Sequence, residues 1–334
     1  MNSKRADLTI IQAADRYLES VKLSRSHNTW RTYTNGMKRF LGVLKDGQVQ
    51  IETVLASQLD EDVVSWFTRD LKSLAPATER LYLSAVTGYF KYMHAENLAQ
   101  PNLSRIQHLV QIHGRRSGQR LPQFPRDAIE KIVKYATTMA QKPAESERDM
   151  LINLRDRALL LTLADTGLRI HEACNLRRGD IDWNEGRAII IGKGDHEAVV
   201  RFSTRAMGAL KHYLNKRMAL DGGSHKPLPT LPVFSRHDKR VGKKVLPMST
   251  TTGRNIVQQR VKECLGTAAV GTITPHSFRH YYVTTVMLGT GGNLKMAQDL
   301  ARHKSIQVTQ RYAHLSEDEL DRGYYEVFEK GSGS

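Results

Sequence analysis

The sequence predicts a mainly α-helical protein with one small β-sheet, divided between an all-helical first domain and an α+β second domain. Three observations carry that reading. Apolar residues recur at helical spacing through most of the chain, as in Tyr33, Met37, Phe40, Leu41 and Leu44. A single stretch, RAIIIGKGDHEAVVRF over 187–202, holds two β-rich runs around Gly194-Asp195, the pattern of a hairpin with Lys193 at its turn. The length of 334 residues exceeds what one core usually organises, which suits two domains.

The first domain is assigned to 1–110. Helices are expected over 8–21, over 28–44 with Asn28 as N-cap, and over 63–74. A fourth stripe, Leu83, Val86, Phe90 and Met93, follows the turn signal Ala75-Pro76. The segment 111–126, QIHGRRSGQRLPQFPR, breaks the pattern with two Gly, two Pro and four arginines, Arg115, Arg116, Arg120 and Arg126, and reads as a basic linker.

The second domain is assigned to 127–330. It opens as helix from Asp127 and runs through 156–165 to a break at Thr166-Gly167, where the hairpin sequence follows. A Pro/Gly-rich loop over 221–232 leads to helical patterns over 249–265, 277–288, 294–302 and 306–312. The segment after His314 is amphipathic, with Leu320, Tyr324, Val327 and Phe328 at helical spacing, and would pack either on its own domain or on a neighbouring protomer. GSGS over 331–334 has the composition of an appended tail and is set aside.

Charge narrows the function. Fifty Lys and Arg against 34 Asp and Glu leave +16, an imbalance that suits a polyanionic partner. A membrane partner would call for an apolar span, a lipidation motif or a basic amphipathic anchor, and none is visible. The N-terminal MNSKRADLTIIQAADRYLES has no secretory pattern, so a cytoplasmic location is expected. Cys174 and Cys264, lacking any CxxC spacing, read as buried thiols rather than as a disulfide framework or a zinc knuckle. Nucleic acid is the polyanion that remains. Arg31, Lys38, Arg39 and Arg80 in the first domain, with Arg115, Arg116 and Arg120 in the linker, are the candidate DNA contacts.

Five stretches of the second domain carry groups suited to chemistry: TGLRIHEACNL with Arg169, IGKGD with Lys193, TPHSFRH with His276 and Arg279, LARH with His303, and VTQRYAH with Tyr312. Phosphoryl transfer to a protein nucleophile needs an attacking group, cations on the non-bridging oxygens and a proton donor for the leaving oxygen. All are present without a metal. Two arginines grip one phosphate with planar, permanently charged forks, and Arg169 and Arg279 form the natural pair. Tyr312 would attack, its phenolate favoured by those cations and by a neighbouring base. Lys193 on its hairpin would protonate the leaving 5′ oxygen.

These residues resemble the tyrosine recombinase (phage integrase) family, whose site is Arg, Lys, His-x-x-Arg, His or Trp, and Tyr. Here the pattern appears as TGLRIHE, a hairpin Lys, HSFRH and LARHKSIQVTQRYAH, in the same order and at similar spacing. The resemblance implies a helical core-binding (SAM-like) domain followed by an α+β tyrosine-recombinase catalytic domain. Its active site would be Arg169, Lys193, His276, Arg279, His303 and the nucleophile Tyr312, with Glu172 in support. HNTWRTYTNGMKRFL and PATERLYLSAVTGYFKYM in the first domain match the family's helical signatures more loosely. One departure is Arg302, where the family usually carries Gly before the His.

A site-specific recombinase of this kind needs no cofactor and no metal. It would cleave and rejoin strands through a 3′-phosphotyrosyl link and a Holliday junction. Its partner would be double-stranded DNA with an inverted-repeat core site, bound as a dimer per site and a tetramer in synapsis. A DNA-binding module on the same scaffold, or an enzyme like a type IB topoisomerase or telomere resolvase, is the alternative. Taken singly, each site residue also has a packing or capping explanation; it is the six in order that favour the enzyme. A metal site fits poorly, because His276 and His280 lack the Glu of a zincin motif. Dimer resolution, phage or transposon integration and inversion all suit the pattern.

Overall fold

The computed structural model describes residues 7–115, 125–191, 197–238, 240–303 and 305–310. The chain divides into two compact units, Met1–Gln119 and Arg120–Ser334. The described residues are mainly helical, with one small antiparallel sheet in the second unit, as the sequence predicts.

In the first unit five α-helices pack around one core: α1 (Ile10–Ser24), α2 (His27–Asp46), α3 (Val63–Asp70), α4 (Pro76–Ala95) and α5 (Leu103–His113). The apolar stripe of α2 buries Met37, Phe40 and Leu44 as its spacing requires. Phe40 meets Phe67, Tyr89 and Phe90 at ring centroid distances of 5.3, 6.4 and 6.3 Å, and all three contacts are edge-on, the geometry the ring quadrupoles favour. The cap of α2 is Ser26 rather than Asn28: the Ser26 hydroxyl, on extended backbone, accepts from the Thr29 amide at 3.3 Å, so the helix starts before Asn28. Pro76 opens α4 at a position where its missing N–H has no helical partner to lose.

The second unit holds α6 (Arg126–Thr138), α7 (Glu147–Thr166), α8 (Ile170–Asn175), β1 (Ile181–Asp182), β2 (Arg187–Ile191) and β3 (Glu197–Arg201). These are followed by α9 (Thr204–Lys216), α10 (Met218–Gly222), α11 (Thr250–Leu265), α12 (Pro275–Gly289), α13 (Leu294–Ala301) and α14 (Ile306–Gln310). The strands lie in the order β1-β2-β3, with Ala188 opposite Val200 and Ile190 opposite Ala198. Ala188 and Ile190 face the core while Ile189 and Ile191 stay exposed, the period-two pattern of a sheet covered on one face. Cys174 is buried; Cys264, expected to be buried, is only partly so, because it sits at the end of α11 where the helix leaves the core. No described helix is long and apolar enough to cross a membrane.

Two buried ionic knots, not evident from apolar patterning, fix the helices of this unit. Asp156 on α7 accepts from Arg155 at 2.7 Å and from Arg260 on α11 at 2.7 Å, tying the two helices together. Arg217, fully buried, pairs with Asp221 at 2.8 Å and donates to the Val233 and Pro232 carbonyls, each at 2.8 Å. Breaking such a pair by removing one partner costs about 3–5 kcal/mol, because the other charge is left buried alone.

Helix α7 ends at Gly167, whose φ of 60° and ψ of 20° lie in the left-handed region. The Thr166 hydroxyl donates back to the Thr162 carbonyl at 2.6 Å and accepts from the Leu168 amide at 3.2 Å, closing the turn. A Cβ at position 167 would stand 2.4 Å from Cδ1 of Tyr282. Gly167→Ala therefore meets both a backbone penalty and a clash, and is expected to lower unfolding free energy by about 2 kcal/mol or more. Urea denaturation measures this; a wild-type midpoint would mean the turn relaxes freely.

Candidate active site

The turn at Gly167 delivers Arg169 to the first position outside α8, where its own amide is capped from within. Glu172, at the third position of the helix, accepts from the Arg169 amide at 2.8 Å through Oε2 and from Arg169 Nη1 at 2.9 Å through Oε1. The carboxylate is buried and the guanidinium is half-exposed, so Glu172 holds the arginine at its root and leaves its fork toward solvent. Burial alone would raise the Glu172 pKa, but Arg302 and then Arg169 hold it below the ordinary carboxylate range.

Arg279 and His276 come from α12, three residues apart and so on one face. Proline at the first helical position and the Thr274 amide donating to Ser277 Oγ at 3.1 Å fix where that helix begins. The Arg279 side chain is buried, with Nη1 donating to the Gly167 carbonyl at 2.5 Å and Nη2 to the Ala301 carbonyl. It thus joins the end of α7 to the end of α13. His276 is exposed, with its ring 4.3 Å from that of His280. Desolvation, followed by Arg279 and Arg169, lowers its pKa, which favours a neutral imidazole.

Residues 302 and 303 follow α13. Arg302 takes a left-handed conformation, φ 56° and ψ 45°, at the C-cap, a position that favours glycine. Its Nη2 lies 3.3 Å from Glu172 Oε2 and 3.3 Å from the Gly167 carbonyl. The tight turn brings His303 back so that its amide donates to the Gln298 carbonyl at 3.0 Å, and His303 Nδ1 sits 2.8 Å from the buried Thr309 hydroxyl on α14. Burial, with the positive charge of Arg279 and Arg169 behind it, pushes the His303 pKa down to about 4.

Arg169, His276 and Arg279 line one cleft of about 280 Å³ with Ile170, Thr274, Pro275, Arg254 and Gln258. No acidic side chain lines it among the described residues. Three guanidinium groups and an imidazole, with no carboxylate on the wall among the described residues, suit an anion. Arg254 and Gln258 are not singled out by the sequence. They lie four apart on α11 and so share a face, a signal too common among helical surface residues to stand out without the fold. Of the other predicted residues, Glu172 and His303 join this centre, whereas Lys193 and Tyr312 lie outside the described residues. β2 and β3 flank the segment that holds Lys193, and α14 ends two positions before Tyr312.

In the first unit, Arg31 and Lys38 are exposed on α2, seven positions apart on one face. Arg39 is paired with Asp70 at 2.6 Å. Arg80 is exposed and lines a cleft of about 740 Å³ with Tyr33, Lys91 and Arg115. Arg115 turns its guanidinium inward: it binds the fully buried Glu79 and the Leu71 and Leu74 carbonyls. Burial would raise the Glu79 pKa, but the Arg115 amide and the Lys72 and Arg115 side chains hold it down to about 2. Arg116 and Arg120 lie outside the described residues.

The sequence profile of the phage integrase family matches residues 124–319, and that of the phage integrase N-terminal SAM-like domain matches 14–97. The tyrosine recombinase XerC of Thermodesulfovibrio yellowstonii is 27% identical over 316 residues, 94% of each chain. Among solved structures, the XerH site-specific recombinase bound to palindromic difH substrate in a post-cleavage complex aligns with a TM-score of 0.66 at 17% identity, over 97% of this chain and 99% of that one. A lambda integrase dimer bound to a COC′ core site aligns at 0.60 and 19% identity, over 92% of this chain and 77% of that one. At these identities the two structures speak for the fold.

The electrostatics of His303 make a pH prediction. Its pKa is about 4 in the folded chain against a free value of 6.5, so between those values the unfolded chain binds more protons. The stability that the neutral imidazole contributes is intact above the free value and is lost as pH falls through about 4. His303→Gln should flatten that part of the stability profile by up to one proton's worth of slope, as read from urea melts. An unchanged profile would mean that the His303 pKa is the same in the folded and unfolded chain.

Proposed function

Because the chain belongs to the phage integrase family, we propose that its second unit transfers DNA strands with Tyr312 as nucleophile, acting on a phosphate held by Arg169 and Arg279. The chain is a site-specific tyrosine recombinase of the Xer-like kind. The observation that carries the assignment of roles is the cleft in which Arg169, Arg279 and His276 meet with no acidic side chain among the described residues. Their convergence from α8 and α12 supports one reaction centre rather than three separate structural roles.

Tyr312 Oη forms a bond to the scissile phosphorus while the bond from phosphorus to the 5′ oxygen breaks. The products of this half-reaction are a 3′-phosphotyrosyl link and a 5′-hydroxyl. A free phenol of pKa about 10 is ionised to only about 0.1% at neutral pH, so its proton needs an acceptor. His276, which lines the cleft beside both arginines and whose lowered pKa favours the neutral imidazole, is the acceptor; His303, held at about 4, is too weak a base for that step. Lys193 supplies the proton for the leaving 5′ oxygen. Arg169 and Arg279 neutralise the charge that builds on the non-bridging oxygens, and because Glu172 and the Gly167 carbonyl already hold them, little reorganisation accompanies the reaction.

The phosphotyrosyl bond conserves the energy of the broken one, so attack by the 5′-hydroxyl of a partner strand rejoins DNA without ATP. Exchange of two strand pairs in turn passes through a Holliday junction. A dimer on an inverted-repeat core site is the binding unit, a reading supported by the palindromic substrate of the XerH complex and the dimeric lambda integrase complex. Two such dimers make the synaptic tetramer. Arg31 and Lys38, exposed on one face of α2, and Arg80 are assigned to phosphates of the duplex.

A core site selected from random duplexes by the protein itself, then nicked to trap the covalent product, tests these roles. Tyr312→Phe should bind DNA nearly as wild type and give no adduct on a denaturing gel; an adduct in that variant removes Tyr312 from its role. Arg169→Lys and Arg279→Lys should slow cleavage by about 10²–10³, because a point charge does not replace a two-pronged grip. EDTA should leave the cleavage rate unchanged. Binding without any adduct in the wild type would favour the DNA-binding module.

A further inference from the structure

Arg302 is kept under two penalties that its neighbours do not offset. Its backbone stands in the left-handed region although it carries a Cβ. Its side chain is only 10% exposed, yet Nε and Nη1 are buried with no hydrogen-bond partner among the described residues. Among the described residues only Nη2 is engaged, on Glu172 Oε2 and on the same Gly167 carbonyl that receives Arg279.

The groups it touches define what is missing. Arg169 and Arg302 share the Glu172 carboxylate, and Arg279 and Arg302 share the Gly167 carbonyl. The knot therefore contains three guanidinium groups and one carboxylate. Burying cations without matching anions is unfavourable unless a ligand brings the counter-charge. The burial of Arg302 and its proximity to Arg169 work in the same direction, lowering its pKa despite the Glu172 carboxylate.

Resting on the strand-transfer reading, we propose that Arg302 is a third phosphate-binding arginine of the reaction centre, with Nε and Nη1 as the donors reserved for DNA phosphate. The anion completes both deficits at once: it gives the unpaired donors their acceptors and supplies negative charge to a cationic knot. Arg302 then belongs to the catalytic grip and not to the packing of α13. Glycine at this position would fold with less strain and bind phosphate with one guanidinium fewer.

The test compares wild type with Arg302→Gly and Arg302→Asn, both of which tolerate left-handed backbone. Each is assayed on the selected nicked core site at saturating protein, with either an ordinary scissile phosphate or an uncharged methylphosphonate in its place. Both variants should melt at or above the wild-type temperature. On the phosphate they should cleave about 10²-fold more slowly, the scale for losing one preorganised donor. On the methylphosphonate, which removes the charge the guanidinium answers, the gap to wild type should shrink by about tenfold or more. Arg302→Lys should recover part of the rate. An equal loss on both substrates, or a loss accompanied by a lower melting temperature in both variants, would assign Arg302 to structure and overturn the proposal. Wild-type cleavage by Arg302→Gly would overturn it too, while leaving the strand-transfer reading intact. Absence of any adduct in the wild type would sink both readings together.

Discussion

The carbonyl of Gly167 and the carboxylate of Glu172 are the two acceptors on which the reaction centre hangs. Between them they receive Arg169 from the start of α8, Arg279 from the first turns of α12 and Arg302 from the end of α13. None of these segments is adjacent in sequence to the others. Each arginine is long and flexible, and ordering it in water would cost about 2 kcal/mol of rotamer freedom. Here that ordering is completed during folding, and under the proposed function a phosphate would meet donors already aimed. The left-handed turn at Gly167 is what turns its carbonyl and Glu172 toward the same place, and Tyr282 packed against that glycine leaves no room for a side chain.

The rest of the unit holds those segments in register. Asp156 ties α7 to α11 through Arg260, and α11 in turn presents Arg254 and Gln258 at the cleft beside Arg169. Gly253 lets α11 approach α8 closely: a Cβ there would stand 2.7 Å from Ile170 Cδ1 and 3.1 Å from Cys174 Sγ. A buried ion pair adds little net stability over a well-packed apolar pair, but it tolerates no slip of one helix along another. Positive charge concentrated at the centre also sets its acid–base state. Desolvation and then the arginines bias the His276 and His303 rings toward the neutral form.

Much of this is legible in the amino-acid sequence. Apolar spacing locates the helices, and the order of Arg, Lys, His-x-x-Arg, His and Tyr points to the phage integrase family to which the chain belongs, because a reaction with fixed geometry constrains residue types more tightly than packing does. What stays hidden depends on contacts across long stretches of chain. Arg115 reads as one of four linker cations, yet its guanidinium is claimed by Glu79, thirty-six positions earlier, at the start of α4. Arg302 reads as a departure at a glycine position, and only the fold shows it sharing acceptors with Arg169 and Arg279. The cap of α2 falls at Ser26 because two neighbouring polar residues compete for the role, and backbone extension at Ser26 decides between them.

If Glu172 organises the centre, removing its charge while keeping its shape should disturb catalysis more than binding. Glu172→Gln, measured for single-turnover cleavage of a saturated nicked core site and for DNA affinity at the same salt, is the direct test. Loss of the carboxylate frees Arg169 and Arg302 from their shared anchor. Cleavage should then slow by about 10²-fold, the scale for displacing a reacting group by about an ångström, while affinity stays within about twofold. Cleavage at the wild-type rate would contradict the account, because the arginines would then be held in place by something other than Glu172.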